Sequence, residues 1–117
     1  MGYQTTGGRW ANTRDMVLAP SASRTANGNG TSTEAGGRGV GRFLLDITAR
    51  TGTSPTLDVV VQTSFDGTTW RTAGTFTQAN AVSQQRLSAM LDRYVRVTWT
   101  VGGTTPNFTF SVTGEAA

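Results

Sequence analysis

Seven carboxylates and ten arginines carry all the side-chain charge of this 117-residue sequence, which has no lysine, histidine or cysteine. Glycosidic chemistry needs two carboxyl groups roughly 5–10 Å apart. Asp46, Asp58, Asp66 and Asp92 are the acids whose spacing invites that comparison. Asp46 and Asp58 fall on the polar faces of strand-like segments, expected to be neighbours, where Arg42 and Arg96 are the natural partners. Surface ion pairing is therefore the reading. No loop gathers the Asp and Asn oxygens that a calcium site wants. Without Cys or His there is no thiolate or imidazole metal site, and no Ser-His-Asp or Cys-His unit. Lysine Schiff-base chemistry is likewise excluded. The expectation is a non-enzymatic protein with no catalytic residue, no cofactor and no metal.

Three other patterns merit weighing. Ser64-Phe65-Asp66-Gly67-Thr68-Thr69-Trp70 reads as a hairpin in which Asp caps the turn and Gly takes positive φ. It resembles the Asp-box hairpin of sialidase-like propellers, but it is one residue short and occurs once. The run Gly36-Gly37-Arg38-Gly39-Val40-Gly41 leads into a strand. A phosphate loop would follow a strand and open a helix, so this is a lead-in. Tyr3, Arg9, Trp10 and Arg14 lie in a stretch with no periodicity to hold it in a core. Aromatic and arginine side chains are enriched as interface anchors, and these four are the candidate protein-interface residues. The remaining arginines are scattered and not interleaved with stacking aromatics, so no nucleic-acid partner is expected.

The elements that would position these groups are strands. Threonine occurs 22 times and glycine 15 times, a composition of β-branched strand residues and tight turns. Residues 1–15 form an extended N-terminal arm, and residues 16–117 one sandwich domain with a first strand at 16–20. Residues 21–39, rich in Gly, Ser, Thr and Asn, are expected as a long loop. Phe43, Leu45, Ile47 and Ala49 alternate along 40–51. A turn at 51–55 precedes Leu57, Val59 and Val61, and a further strand is expected at 70–76. Leu87, Met90 and Leu91 have the i, i+3, i+4 spacing of one helical turn. Val95, Val97, Trp99 and Val101 form the clearest strand. A turn at Gly102-Gly103 with Pro106 then leads to Phe108, Phe110 and Val112, with the last two strands pairing at short range. Turns every 8 to 12 residues make an all-β chain: a single antiparallel β-sandwich, jelly-roll-like. No apolar run approaches the roughly 20 residues of a membrane span, and no membrane partner is expected.

The Ser64–Trp70 string, followed by Thr75-Phe76 and Arg93-Tyr94-Val95-Arg96-Val97-Thr98-Trp99, resembles discoidin-like and carbohydrate-binding β-sandwich modules. The run over 57–114, through RYVRVTWTVGGTTPNFTFSVTG, is similar to small virion structural proteins of tailed bacteriophages and covers about half the chain. That resemblance implies a capsid decoration or cement protein at the capsid surface of a virion, made in the host cytoplasm. It implies the major capsid protein as partner, and a homo-oligomer such as a trimer. Two alternatives stay open: a head-completion or tail component, and a carbohydrate-binding module with Tyr94 as its outward strand aromatic.

Overall fold

The computed structural model describes residues 13–117. Two long strands dominate it, β4 (Val40–Ser64) and β7 (Tyr94–Ala116). They run antiparallel over their whole length, with Arg42 opposite Glu115 near one end and Ser64 opposite Tyr94 at the other. Strands of this length do not stay flat, and both bend at matching corners. Gly52 (φ 114°) and Ser54 (φ 48°) bend β4, while Gly103 (φ 105°) and Thr105 (φ 45°) bend β7. The corner sequences, Gly52-Thr53-Ser54-Pro55 and Gly103-Thr104-Thr105-Pro106, repeat one order of residue types. Each glycine backs onto the other corner. A Cβ on Gly52 would stand 2.7 Å from the Thr105 carbonyl oxygen, and one on Gly103 would stand 2.6 Å from that of Ser54. Both conformation and space therefore demand glycine.

The bends turn one hairpin of long strands into two layers. The first layer orders β1 (Arg14–Arg24), residues 107–116 of β7, residues 40–51 of β4, and β6 (Ser83–Met90). In the second, residues 94–102 of β7 pair with β2 (Gly28–Asn29) and β3 (Thr33–Glu34), and residues 56–64 of β4 pair with β5 (Arg71–Thr75). Inward residues of both layers close the core: Leu18, Leu45, Ile47, Phe108, Phe110 and Val112 from the first, with Leu57, Val59, Val61, Val95 and Val97 from the second, all fully buried. The layers meet where Trp99 sets its ring edge-on to Phe110, 5.5 Å between centroids. Arg24 closes that end. Its guanidinium lies 4.3 Å from the Phe110 ring centroid and 4.8 Å from that of Trp99, and donates to the carbonyls of Phe110 and Pro20. Burial lowers its pKa, and cation–π attraction to two rings offsets part of that desolvation.

The all-β, antiparallel sandwich expected from the alternation is the observed architecture. Several local expectations differ. The turns at 51–55 and 102–106 do not reverse the chain, and the last two strand segments pair with β4 rather than with each other. Residues 86–91 form no helical turn. Gln85, Leu87 and Ala89 face inward along β6 while Gln84, Arg86 and Ser88 face out, because β4 lies alongside and supplies the backbone partners that an isolated turn lacks. Ala49 is exposed, since the register shifts between Ile47 and Ala49. The expected loop at 21–39 is partly paired: β1 runs on to Arg24, and β2 and β3 dock on β7. Ala35, between β3 and β4, is fully buried and donates its amide to the Arg93 carbonyl at 2.8 Å.

Candidate functional site

The site begins with a turn that is satisfied by its own side chains. Ser64, almost wholly buried, ends β4. Its Oγ accepts from the amides of Gly67 (2.9 Å) and Asp66 (3.3 Å) and donates to Asp66 Oδ1 (3.0 Å). That same carboxylate oxygen accepts from the amides of Thr68 (2.8 Å) and Thr69 (2.9 Å). Four backbone donors that a hairpin tip would leave to water are held by two short side chains, the mechanism that makes Ser and Asp turn residues. Gly67 takes φ 77° and lies against the Tyr94 ring.

The amides of Thr69 and Thr68, then the Ser64 hydroxyl, hold the Asp66 carboxyl below the ordinary carboxylate range. Its folded pKa is depressed, so the turn is fully formed above the ordinary Asp value and loosens as pH falls through the lower folded one. An NMR titration of the Thr68 and Thr69 amide shifts is expected to have its midpoint below that of an unstructured Asp. A midpoint at or above it would contradict the capped turn.

This turn holds Phe65 out. Flanked by two side chains committed to capping, Phe65 cannot reach the core and stays 68% exposed. It borders a depression of about 500 Å³ with Leu91, Arg38, Arg93, Asp92 and Glu34. Arg93 lies 3.6 Å from the Glu34 carboxylate and 5.2 Å from the Tyr94 ring centroid. On the adjoining face Arg96 is fixed by a 2.8 Å bond from Nε to Gln62 Oε1, with its guanidinium 4.3 Å from the Trp70 ring centroid. An exposed phenylalanine on a self-capped turn, beside arginines set against aromatic rings, gathers the side-chain types enriched at protein interfaces. A second depression, about 530 Å³, crosses the outer face of the first layer, where Arg42 and Glu115 form a 2.7 Å ion pair beside Val17 and Leu44.

Of the four candidate interface residues, Tyr3, Arg9 and Trp10 lie outside the described residues. Arg14 opens β1 opposite Ala116, so it belongs to the sheet. Asp46 and Asp58 do not sit on neighbouring strands. Both are on β4, on either side of its corner, and their partners are amides rather than arginines: Gln84 Nε2 at 3.3 Å from Asp46, and Gln78 Nε2 at 3.0 Å from Asp58. Among the described residues no three acids gather as a metal site. Gly36 and Gly37 take φ 70° and 76° in a turn that leads into β4. Phe65 was missed in the sequence although its signal was there: a large apolar residue between two capping side chains has no inward direction to take.

The fold is an antiparallel β-sandwich, and this end of it sets an exposed phenylalanine among arginines. No family model matches the chain, and no curated protein matches it in sequence. Solved structures do share the fold, among them the following two. One is a chain of infectious bursal disease virus, Gx strain, 8% identical, with a TM-score of 0.56 over 90% of this chain. The match spans only 31% of that viral chain. The other is the SPBc2 prophage-derived protein YomS, 11% identical, with a TM-score of 0.53 over 90% of this chain and 92% of YomS. Both neighbours come from viral sources, and what they share with this chain is the sandwich.

Proposed function

We propose that the chain is a non-enzymatic structural protein of a bacteriophage virion, a decoration or cement protein that binds the major capsid lattice at the capsid surface. The observation that carries the reading is Phe65, held in water by a self-capped turn beside an arginine-lined depression. Fully burying such a side chain is worth roughly 1.5–3 kcal/mol, a gain that folding of this chain leaves unused and a partner can collect. Repetition of a modest contact over a symmetric lattice makes the total large. The viral sources of the two fold neighbours support the setting.

The carbohydrate-binding alternative is less well served. Sugars stack on open ring faces, and here Arg96 lies over Trp70 while Arg93 lies over Tyr94. A head-completion or tail component would have the same fold and differ in copy number.

Phe65→Ser tests the reading. Purified wild-type protein should sediment with capsid particles lacking the chain, and the variant should bind at least tenfold more weakly, given the lost burial. Its thermal midpoint should stay within about 2 °C of wild type, as expected for an exposed site. Equal binding by both proteins would remove Phe65 from the interface, and no binding by either would count against the capsid reading itself.

A further inference from the structure

Edge strands expose unpaired backbone groups, and folded proteins usually blunt them. Three of the edges here are blunted. β1 contains Pro20, and its register breaks twice. β2 and β3 are two residues each. β5 is five residues long and its register with β4 shifts once. β6 has none of these devices. Its eight residues pair with β4 without a shift, from Met90 opposite Val40 to Ser83 opposite Ile47. It contains no proline and a single charge, Arg86. Among the described residues it takes no second strand partner. Met90 at one end is 76% exposed, and Val82, just before the other end, is 59% exposed. The inner side of β6 is fixed in place. Leu87 fills the space over Gly74, and Gln85 exchanges two hydrogen bonds with the Thr77 backbone, at 2.9 and 2.8 Å. A rigid, straight, unprotected edge is a template for strand addition.

We propose that a second copy of this chain occupies that edge: two β6 strands pair antiparallel about a twofold axis, joining two four-stranded layers into one eight-stranded sheet. The residues of β6 argue for their own kind. Residues directly opposite in an antiparallel pair share a face, and Gln84, Arg86, Ser88 and Met90 all face outward. With Leu87 opposite its own copy, Arg86 faces the partner's Ser88, and Gln84 faces the partner's Met90. Shifting the dyad to Arg86 would set like charges directly opposite, which destabilises the pair. In the favoured register Met90 also lies diagonal to the partner's Val82, within reach of a long, adaptable side chain. The exposed apolar groups at the two ends of β6 thus cover one another, and the symmetry makes the contact twice. This inference goes beyond the virion reading and does not depend on it.

Sedimentation equilibrium of the purified full chain at micromolar concentration is expected to give twice the chain mass. Ser88→Lys places like charges opposite Arg86 at both symmetric positions and should weaken the dimer at least tenfold. Ser88→Glu offers Arg86 a carboxylate and should leave the dimer as tight or tighter. Ser88 is exposed but lies opposite Arg42 of its own β4, so Lys should lower and Glu raise the melting midpoint slightly. Sedimentation well below both midpoints, on chains shown folded by circular dichroism, separates loss of pairing from misfolding. A monomer at every concentration, a trimer, or a dimer indifferent to both substitutions would overturn the proposal.

Discussion

Phe110→Ala is expected to destabilise the chain by about 3–5 kcal/mol, the range for removing a fully buried phenylalanine. That is a large share of the 5–15 kcal/mol that holds a domain of this kind, and the melting midpoint should fall by more than about 10 °C. Phe110 shows no exposure at all. Its ring supports the edge of Trp99 from the opposite layer, and its other contacts include the Arg24 guanidinium. Truncation therefore opens a cavity where the two layers meet and leaves Arg24 with one ring instead of two. Calorimetry or circular dichroism checks the result. A fall of less than about 2 °C would mean that the layers are not joined there.

Gly103→Ala should be nearly as damaging, although it adds only one methyl group. At φ 105° an L-residue is strained, typically by about 1–3 kcal/mol. The new Cβ would also stand 2.6 Å from the Ser54 carbonyl oxygen and 2.9 Å from Pro55 Cα. Those atoms belong to the other corner, so the displacement passes from β7 into β4, and overpacking of this sort costs about 1–3 kcal/mol more. Gly37→Ala is the control, because Gly37 also has positive φ (76°) but no atom stands within 4 Å of an added Cβ. It should suffer the conformational strain alone. Thermal melts of the two variants should differ clearly, with Gly103→Ala the lower. Equal losses would show that the corners do not lean on each other.

These two substitutions probe different parts of what the sequence disclosed. Alternation at Phe43, Leu45 and Ile47, at Leu57, Val59 and Val61, and at Phe108, Phe110 and Val112 named core residues correctly, because a strand with one wet face writes its burial into every second position. The corners were hidden. Gly-Thr-Ser-Pro spells a change of direction, but whether the chain reverses or bends depends on which strand lies alongside, a fact some fifty residues away. The clue was the recurrence of that order at 103–106. At the end of β6 the spacing of Leu87, Met90 and the following Leu91 imitated a helical turn because Met90, on an edge strand, is apolar yet exposed. The capping of the Ser64–Trp70 turn was legible, since Ser and Asp act on neighbouring amides. The exposure of Phe65 between those caps was legible too, but the depression beside it was not, because that depends on where Leu91, Arg38 and Arg93 arrive from elsewhere in the chain.

The virion reading turns on abundance. Quantitative mass spectrometry of virus particles purified from cells that make this chain, measured against their major capsid protein, tests it most directly. A decoration protein that follows the capsid lattice should be present at a copy number comparable to that of the capsid subunits. A count equal to one ring of subunits would move the chain to the neck or tail, and its absence from particles would contradict a structural role in the virion.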